Sequence, residues 1–278
     1  MPTRYYLFFV LPTLIAFVIA FLIPFLLGIY LSFTEFTTVT DSRWAGVSNY
    51  VRAFSEDNNF LNALVFTVKF ALISVVLINL FAFVFAFTLT RNVRGTNLFR
   101  TVFFMPNLIG GIVLGYVWQL LINGVLIRFG VDITYSANYG FWGLVILMNW
   151  QQAGYMMIIY IAAIQNVPPE LIEAAEMDGA NAWQSLRNIT IPMVMPAFTI
   201  CTFLTVTNSF KLFDQNLALT AGAPGRASSM LALDIFTTFY NRNGYEGVGQ
   251  AKAVIFFVIV AVIVLMQLYL TRRREVES

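Results

Sequence analysis

Six long apolar stretches divide this sequence of 278 residues. They run over residues 7–33, 66–90, 101–123, 141–164, 193–213 and 251–271. A transmembrane helix needs about 20 mostly apolar residues, and each stretch reaches that length. The sequence therefore predicts an all-α membrane protein with six transmembrane helices.

The composition supports a membrane protein and argues against several other classes. Hydrophobic residues make up 59% of the chain, the mean hydropathy is +0.77, and only 11% of the residues are charged, against about 25% in soluble domains. The sequence has no basic tract that would bind nucleic acid. It also has no histidine, the commonest general base and metal ligand, and its one cysteine, Cys201, excludes a disulfide framework.

The chain is predicted to form one transmembrane domain over residues 1–278, with an N-terminal helix and outer loop at 1–65 and a core bundle at 66–271. The first apolar stretch is longer than the apolar core of a signal peptide and lacks a small-residue cleavage site. We therefore interpret it as a retained membrane anchor. Pro12 and Pro24 are expected to kink this helix.

The basic residues favour an orientation in which both termini face the cytoplasm. In that orientation eight basic residues lie inside and eight outside, but the inner segments are much shorter. The loop with Arg91, Arg94 and Arg100 and the tail Arg272–Arg274 directly adjoin helix ends. Positive charge at such positions has the strongest influence on orientation.

A polar segment at residues 169–192 separates the fourth and fifth apolar stretches. Pro169 suits the first turn of a helix, and Gly179 lies where a left-handed residue would end that helix. A second short helix is expected from about residue 180 to residue 188, ended by Pro192. A compact helical element at a membrane surface is suited to contact a soluble partner.

The same segment resembles the EAA motif of the permease subunits of ATP-binding-cassette importers. That motif reads Glu-Ala-Ala, two residues, Asp-Gly-Ala, eight residues, Ile, one residue, Leu-Pro, and here Ile191 replaces the Leu. The matching residues are Glu173, Ala174, Ala175, Asp178, Gly179, Ala180, Ile189 and Pro192. The alternative interpretation is an ordinary amphipathic surface loop, because a motif match alone is a hypothesis.

The resemblance extends over nearly the whole chain and is to the carbohydrate-uptake branch of these permeases. The segments that carry it are Asn49-Tyr50, Phe99–Thr101 with Pro106, Ser209–Lys211 with Phe213-Asp214, and Leu219–Pro224. Within that branch the chain looks like the first permease of a heterodimeric pair, of the maltose or multiple-sugar type.

The resemblance implies that the EAA motif forms a cytoplasmic loop that docks on an ATPase and couples its closure to the membrane helices. The implied partners are a second homologous permease subunit, a dimer of ATPases, an extracytoplasmic solute-binding protein, a sugar substrate and membrane lipid. The sequence lacks a G-x-x-x-x-G-K-[ST] loop, so no cofactor is expected in this chain, and ATP and magnesium would bind to the ATPase subunits. The implied location is a bacterial or archaeal cytoplasmic membrane.

The predicted spans hold no ionisable residue well inside them, since Lys69, Lys211 and Lys252 lie at span edges. Ion- and proton-coupled carriers usually need ionisable groups at membrane depth. This pattern argues against a secondary transporter and against a charged substrate held by an ion pair. Uptake of glycerol-3-phosphate or another solute is kept as an alternative.

Uncharged polar residues in the fourth and fifth spans are candidates for a substrate path, because amides and hydroxyls suit a neutral polyhydroxylated ligand. The resemblance places the sugar contacts of the family at Gln151, Gln152, Tyr155, Thr205, Asn208, Ser209 and Leu212. The last four are expected to share one helical face. The alternative role of these side chains is to join membrane helices to one another.

A multi-span membrane enzyme is a further alternative. It would need catalytic carboxylates, His or Cys near a helix end, but Asp132, Asp214 and Asp234 are scattered and have no evident partner. Gly111 and Gly115 form a G-x-x-x-G pair, which predicts close helix packing in the third span.

Overall fold

The computed structural model describes residues 3–38, 40–55, 58–91 and 94–272, apart from the side chains of residues 3–8, 58 and 272. Arg273 and Arg274 of the basic tail lie outside the described residues. Within the described chain, six helices are long and apolar enough to cross a membrane. They cover Phe9–Leu31, Asn59–Leu89, Gly111–Phe129, Ala137–Gln165, Ala182–Phe210 and Glu246–Thr271. The prediction of an all-α protein with six spans is confirmed.

The N-terminal part of the chain contains the first two spans and a small hairpin. The first span consists of α1 (Thr3–Phe17), a π-helical turn (Val18–Leu22) and α2 (Ile23–Leu31). Strands β1 (Thr34–Phe36) and β2 (Ser42–Trp44) pair antiparallel, with Glu35 opposite Arg43. After α3 (Ser48–Ser55), the second span is the single helix α4 (Asn58–Leu89), which begins earlier than the predicted residue 66.

The remaining elements are also helical. They are α5 (Thr96–Phe104), α6 (Gly111–Leu126), α7 (Ala137–Gln165), α8 (Pro169–Met177), α9 (Ala182–Ser185), α10 (Ile191–Phe210), α11 (Asp214–Leu219), α12 (Leu231–Asn241) and α13 (Glu246–Arg272). Short 3-10 turns occupy Met105–Leu108 and Ile127–Phe129, and a second π-helical turn occupies Leu186–Thr190.

The predicted bounds of the third span, residues 101–123, are wrong because the helix is interrupted at Ile109 and Gly110. The chain leaves α5 through a 3-10 turn that holds Pro106. Ile109 and Gly110 then take non-helical ψ values of 130° and 140°, and the span begins at Gly111. A proline has no N–H to continue an α-helix, so apolar composition alone had joined two separate helices.

Pro192 does not end a helix, contrary to the prediction, because a π-helical turn precedes it. The Ile191 N–H donates to the Leu186 carbonyl, five residues back. This turn is wider than an α-turn, which relieves the clash between a proline ring and the carbonyl four residues earlier. The same arrangement precedes Pro24, where the Ile23 N–H donates to the Val18 carbonyl.

The fold divides into two compact units, and the larger one comprises Asn62–Leu233 and the residues from Val260 on. Its core lies among α4, α7 and α10, where side chains such as Ile78, Met157 and Val194 are fully buried. Inside this core the Tyr160 hydroxyl donates to Asn79 Oδ1 at 2.7 Å. The buried tyrosine therefore keeps a hydrogen-bond partner within the apolar packing.

Glycines set the closest helix contacts of the larger unit. A Cβ at Gly154 of α7 would collide with the backbone carbonyl of Phe103 in α5. A Cβ at Gly111 or Gly115 of α6 would approach α11, at 2.7 Å from the Cβ of Asp214 and of Ala218 respectively. The prediction that the G-x-x-x-G pair mediates close helix packing is confirmed.

The smaller unit contains the residues up to Leu61 together with Asp234–Ile259. Lys252 of α13 is fully buried and donates to Asp234 Oδ2 and to Thr238 Oγ1 of α12, each at 2.8 Å. Its ammonium also lies 5.2 Å from the ring centroid of Phe60. The expectation that Asp234 has no partner is therefore wrong, because folding brings α12 and α13 together.

Replacing Lys252 by Met should strongly destabilise the protein, because it leaves the buried Asp234 carboxylate without this ammonium. Breaking one side of a buried pair costs about 3–5 kcal/mol, which a thermal unfolding series on the purified protein would detect. The double variant Lys252→Met/Asp234→Leu should recover much of the loss.

Arg52→Met is the matched control. Its ion pair with Glu35 spans 3.9 Å, with the two side chains 25% and 63% exposed, and its guanidinium lies 4.6 Å from the ring centroid of Tyr245, so the change should cost about 1–2 kcal/mol, less than loss of the buried pair. Equal unfolding temperatures for Lys252→Met and Arg52→Met would contradict the importance given to the buried pair.

Candidate functional site

The segment of residues 169–192, hereafter the EAA segment, begins with α8 and ends that helix by a defined motif. Pro169 is the first residue of α8, as predicted. At the other end the Ala180 N–H donates to the Ala175 carbonyl at 2.9 Å, and the Gly179 N–H donates to the Glu176 carbonyl at 3.0 Å. These two bonds with a left-handed residue form a Schellman motif, and Gly179 supplies that residue with φ +83°.

The second helix of the EAA segment starts from a capping box. Asn181 Oδ1 accepts the Gln184 N–H at 2.9 Å, and Gln184 Oε1 accepts the Asn181 N–H at 2.7 Å. The sequence pattern Asn-x-x-Gln carries the signal of a capping box, but this cap was not among the predictions. The helix continues through the π-helical turn into α10, so Ala182–Phe210 is one helical span.

The EAA motif separates into an exposed part and a half-buried part. Its exposed members are Glu173, Ala174, Asp178 and Gly179, and its half-buried members are Ala175, Ala180, Ile189 and Pro192. Ile189 packs against the core formed by α4, α7 and α10. The segment therefore contacts the membrane helices with one part and leaves the other part open.

Three large apolar side chains that were not predicted to be functional are exposed on the EAA segment. Leu171 is 44% exposed, Met177 is 88% exposed and Trp183 is 66% exposed. The segment around them is polar. Single exposed apolar residues are common on protein surfaces, and only a contiguous patch marks a binding surface, so these side chains are candidates for a contact with another protein.

The structure brings together some of the candidate substrate-path residues. The Asn208 side-chain amide donates to Gln152 Oε1 at 3.2 Å, linking α10 to α7. Both side chains are half-buried, and so is Tyr155, whose ring centroid lies 6.5 Å from that of Phe104. These three residues leave polar groups within reach of a ligand.

The other candidates are buried within this chain. Gln151 accepts a hydrogen bond from Gln215 at 2.8 Å and donates to the Ile109 carbonyl at 3.4 Å. Thr205 donates to the carbonyl of Cys201 at 2.7 Å. These bonds are the helix-joining and helix-internal contacts that polar side chains make in membrane bundles.

Ser209 and Leu212 are also buried, and Leu212 does not lie on the helical face predicted for it. The helix α10 ends at Phe210, and Lys211 is its C-cap. Phe213 then has φ −123° and ψ −60°, so that the chain turns into α11. The close packing of α11 on the glycines of α6 requires this turn, which helical periodicity does not reveal.

The three aspartates considered for catalysis have separate surroundings. Asp132 accepts the Thr134 hydroxyl at 2.6 Å and the Thr134 N–H at 2.8 Å, and these bonds hold the pKa of its carboxyl below the usual range. Asp214 is the first residue of α11, and Asp234 pairs with Lys252. Among the described residues no group of three or more His, Cys, Asp or Glu side chains could hold a metal ion.

A model of the family described as binding-protein-dependent transport system inner membrane component matches residues 78–276. The chain belongs to this family. Because its members are transport components, the membrane-enzyme alternative is excluded.

Two relatives match along most of the chain. The probable starch degradation products transport system permease protein AmyD of Thermoanaerobacterium thermosulfurigenes is 45% identical over 282 residues, covering 98% of this chain and 96% of the relative. The multiple sugar-binding transport system permease protein MsmF of Streptococcus mutans is 26% identical over 259 residues, covering 90% and 89%.

A solved structure shares the fold. The bacterial ABC transporter involved in the import of the acidic polysaccharide alginate contains a chain that matches with a TM-score of 0.82 and 21% identity. The match covers 98% of this chain and 96% of that chain. The fold is thus that of the matched ABC transporter chain over 98% of this chain.

Replacing Gly179 by Leu should reduce solute uptake while the protein still inserts into the membrane. A left-handed conformation costs a residue with a β-carbon about 1–2 kcal/mol, so α8 would lose its Schellman end and the exposed face would shift. Uptake assays, normalised to the amount of membrane-inserted protein, measure the effect.

Gly130→Leu is the matched control, because Gly130 has φ +74° and, like Gly179, open space around its Cα. It lies between the third and fourth spans and far along the chain from the EAA segment. If both variants lose uptake equally, backbone strain alone explains the loss and the EAA segment has no special role.

Proposed function

We propose that this chain is a permease subunit of an ATP-binding-cassette importer that takes up a neutral sugar or oligosaccharide. The observation that carries the proposal is the 45% identity, along nearly the whole chain, to a permease named for the transport of starch degradation products. A second relative is named for multiple sugars. The substrate would be delivered by an extracytoplasmic binding protein.

The chemistry of the accessible candidates supports a neutral substrate. Gln152 and Asn208 offer amide donors and acceptors that can replace water around sugar hydroxyls, and Tyr155 offers an aromatic face beside them. The buried Lys252 is paired with Asp234, so it does not provide a cation for a phosphate ester. Glycerol-3-phosphate is therefore the weaker alternative.

The EAA segment is proposed to couple this chain to ATP hydrolysis. Its exposed Met177 and Trp183 would dock on a soluble ATPase subunit, with the exposed Glu173 and Asp178 at the rim of the contact. ATP and magnesium would bind to a dimer of such ATPases, because the chain has no phosphate-binding loop of its own. A second homologous permease would complete the pathway across a bacterial or archaeal cytoplasmic membrane.

The proposed coupling requires the EAA segment and both termini to face the cytoplasm. In a Cys201→Ala background, a cysteine at Thr40 should react with a membrane-impermeant maleimide on intact cells. A cysteine at Gln184 should react only after permeabilisation. Thr40 and Gln184 are both exposed, so a difference in labelling reports the side of the membrane on which each residue lies. Labelling of the Gln184 variant on intact cells would overturn both the orientation and the coupling role.

Gln152→Ala and Asn208→Ala should each reduce sugar uptake. Loss of one hydrogen bond to a neutral ligand costs about 0.5–1.5 kcal/mol, which is up to roughly tenfold in affinity. Concentration-dependent uptake would show the effect as a weaker apparent affinity and an altered preference among sugars.

Thr207→Val is the matched control for these variants. Thr207 is adjacent to Asn208 but donates to the Phe203 carbonyl of its own helix at 2.8 Å, so uptake should be retained. Wild-type uptake by both the Gln152 and the Asn208 variants would instead assign the pair to helix joining.

A further inference from the structure

A cavity of about 510 Å³ lies between the EAA segment and the ends of two membrane spans. Phe87 and Arg91 line it from the end of α4, and Gln165 lines it from the end of α7. Ile172 and Glu176 of α8 and Leu186 of the π-helical turn complete the part of the lining considered below. A cavity of this volume is within the range of small-molecule sites, about 300–1,000 Å³.

Two opposite charges line this cavity without neutralising each other. The Arg91 guanidinium lies 4.5 Å from the ring centroid of Phe87. Within the part of the chain that the structure describes, neither Arg91 nor Glu176 forms an ion pair. The cavity therefore offers one positive and one negative group to a ligand.

Three helices also end at the cavity. The helices α4, α7 and α8 have their last residues at Leu89, Gln165 and Met177. Carbonyl groups at these ends already have donors: the Arg100 guanidinium donates to the Leu89 carbonyl at 3.3 Å, and the Schellman bonds end α8. The charge available to a ligand is therefore that of the side chains, with Glu176 favouring an ammonium group and Arg91 an anion close to it.

The apolar part of the lining indicates where such a ligand comes from. Phe87, Ile172 and Leu186 give the cavity an apolar wall. The second and fourth membrane spans end at Leu89 and Gln165, and at the ends of the spans we expect the bilayer to change from hydrocarbon to headgroups. A lipid headgroup reaches this depth without leaving the membrane, whereas a free metabolite gains little from the apolar wall.

We propose that this cavity binds the aminoethyl phosphate headgroup of a phospholipid. The ammonium contacts Glu176, the phosphate contacts Arg91, and the hydrocarbon follows the apolar wall. The proposal rests on the proposed coupling function, because a headgroup held by both Glu176 and Arg91 joins the EAA segment to the second span. Where the EAA segment has two arrangements, the headgroup stabilises the one that it binds more tightly.

Lipid retention by the assembled importer in mixed phosphatidylethanolamine and phosphatidylcholine nanodiscs tests the site, with native mass spectrometry as the readout. The choline headgroup keeps its charge but has no N–H to donate, so the wild type should retain phosphatidylethanolamine in preference. Glu176→Gln should reduce that preference by roughly two- to fivefold, the effect expected of one exposed charged contact. Arg91→Gln should instead reduce the retention of both lipids, because the phosphate is common to the two headgroups. Glu170→Gln on the same helix and Arg94→Gln in the neighbouring loop are the matched controls, and both should retain lipid as the wild type does.

Equal retention of the two lipids by the wild type would overturn the proposal, as would a Glu176→Gln variant that behaves like Glu170→Gln. Soluble O-phosphoethanolamine, added to phosphatidylcholine discs, separates the two sources of the headgroup. Protection of the wild type against thermal unfolding by this soluble compound would overturn the requirement for a lipid, and no protection would support it.

Substrate-stimulated ATP hydrolysis, measured in the same discs, is a separate readout. Greater stimulation with phosphatidylethanolamine in the wild type, absent in Glu176→Gln, supports the link between the cavity and coupling. Lipid retention is measured without ATP hydrolysis, so the experiment can contradict the lipid site without contradicting the proposed function, and the reverse. Hydrolysis that ignores sugar in every lipid would contradict the proposed function while leaving the retention result intact.

Discussion

Backbone groups inside a bilayer have no water to bind, and each unpaired N–H or C=O costs several kcal/mol. Pro12 and Pro196 lie inside regular α-helix, but at three other prolines the structure meets this constraint in two ways. Before Pro24 and Pro192 the chain widens into a π-helical turn and the helix continues. Near Pro106 the helix stops, and the Gln151 amide donates to the freed Ile109 carbonyl.

The same constraint explains why polar side chains occur in the spans at all. Gln119 donates to the Leu219 carbonyl at the end of α11 at 3.0 Å, and Gln151 donates to the Ile109 carbonyl at the break before α6. The Thr205 hydroxyl donates to the Cys201 carbonyl of its own helix and accepts from the Asn79 amide at 3.4 Å. These three polar residues are therefore partners for a neighbouring backbone or helix, whereas the buried Ser209 hydroxyl has no hydrogen-bond partner among the residues that the structure describes.

Local chemistry made the general architecture and the end of α8 predictable. The apolar stretches are long enough to identify every span, and only glycine adopts a positive φ at position 179 without strain. The interruption at Ile109 and Gly110 was not predictable from hydropathy, because both flanking segments are apolar. The pairing of Asp234 with Lys252 depends on how α12 and α13 meet, which sequence spacing does not contain.

For the candidate substrate path, too, the sequence predicted which residues could bind a sugar but not which of them are accessible. Residue type selected side chains that can bind a sugar, and the resemblance selected the two spans. Burial then separated Gln152, Tyr155 and Asn208, which remain partly accessible, from Gln151, Thr205, Ser209 and Leu212. Periodicity along α10 could not make this distinction, because the neighbouring helices, rather than the helix itself, decide which face is covered.

The uninterrupted helix from Ala182 to Phe210 has a mechanical consequence. Its 29 residues, at 1.5 Å each, make a rod about 40 Å long. The capping box of Asn181 lies at one end of this rod, and Asn208 lies near the other. A tilt of about 5° around the first end would displace the second by about 4 Å, more than the length of the hydrogen bond between Asn208 and Gln152. If the span moved as one rigid body, a small rotation at the capping box would be enlarged into a motion large enough to break the contact between Asn208 and Gln152.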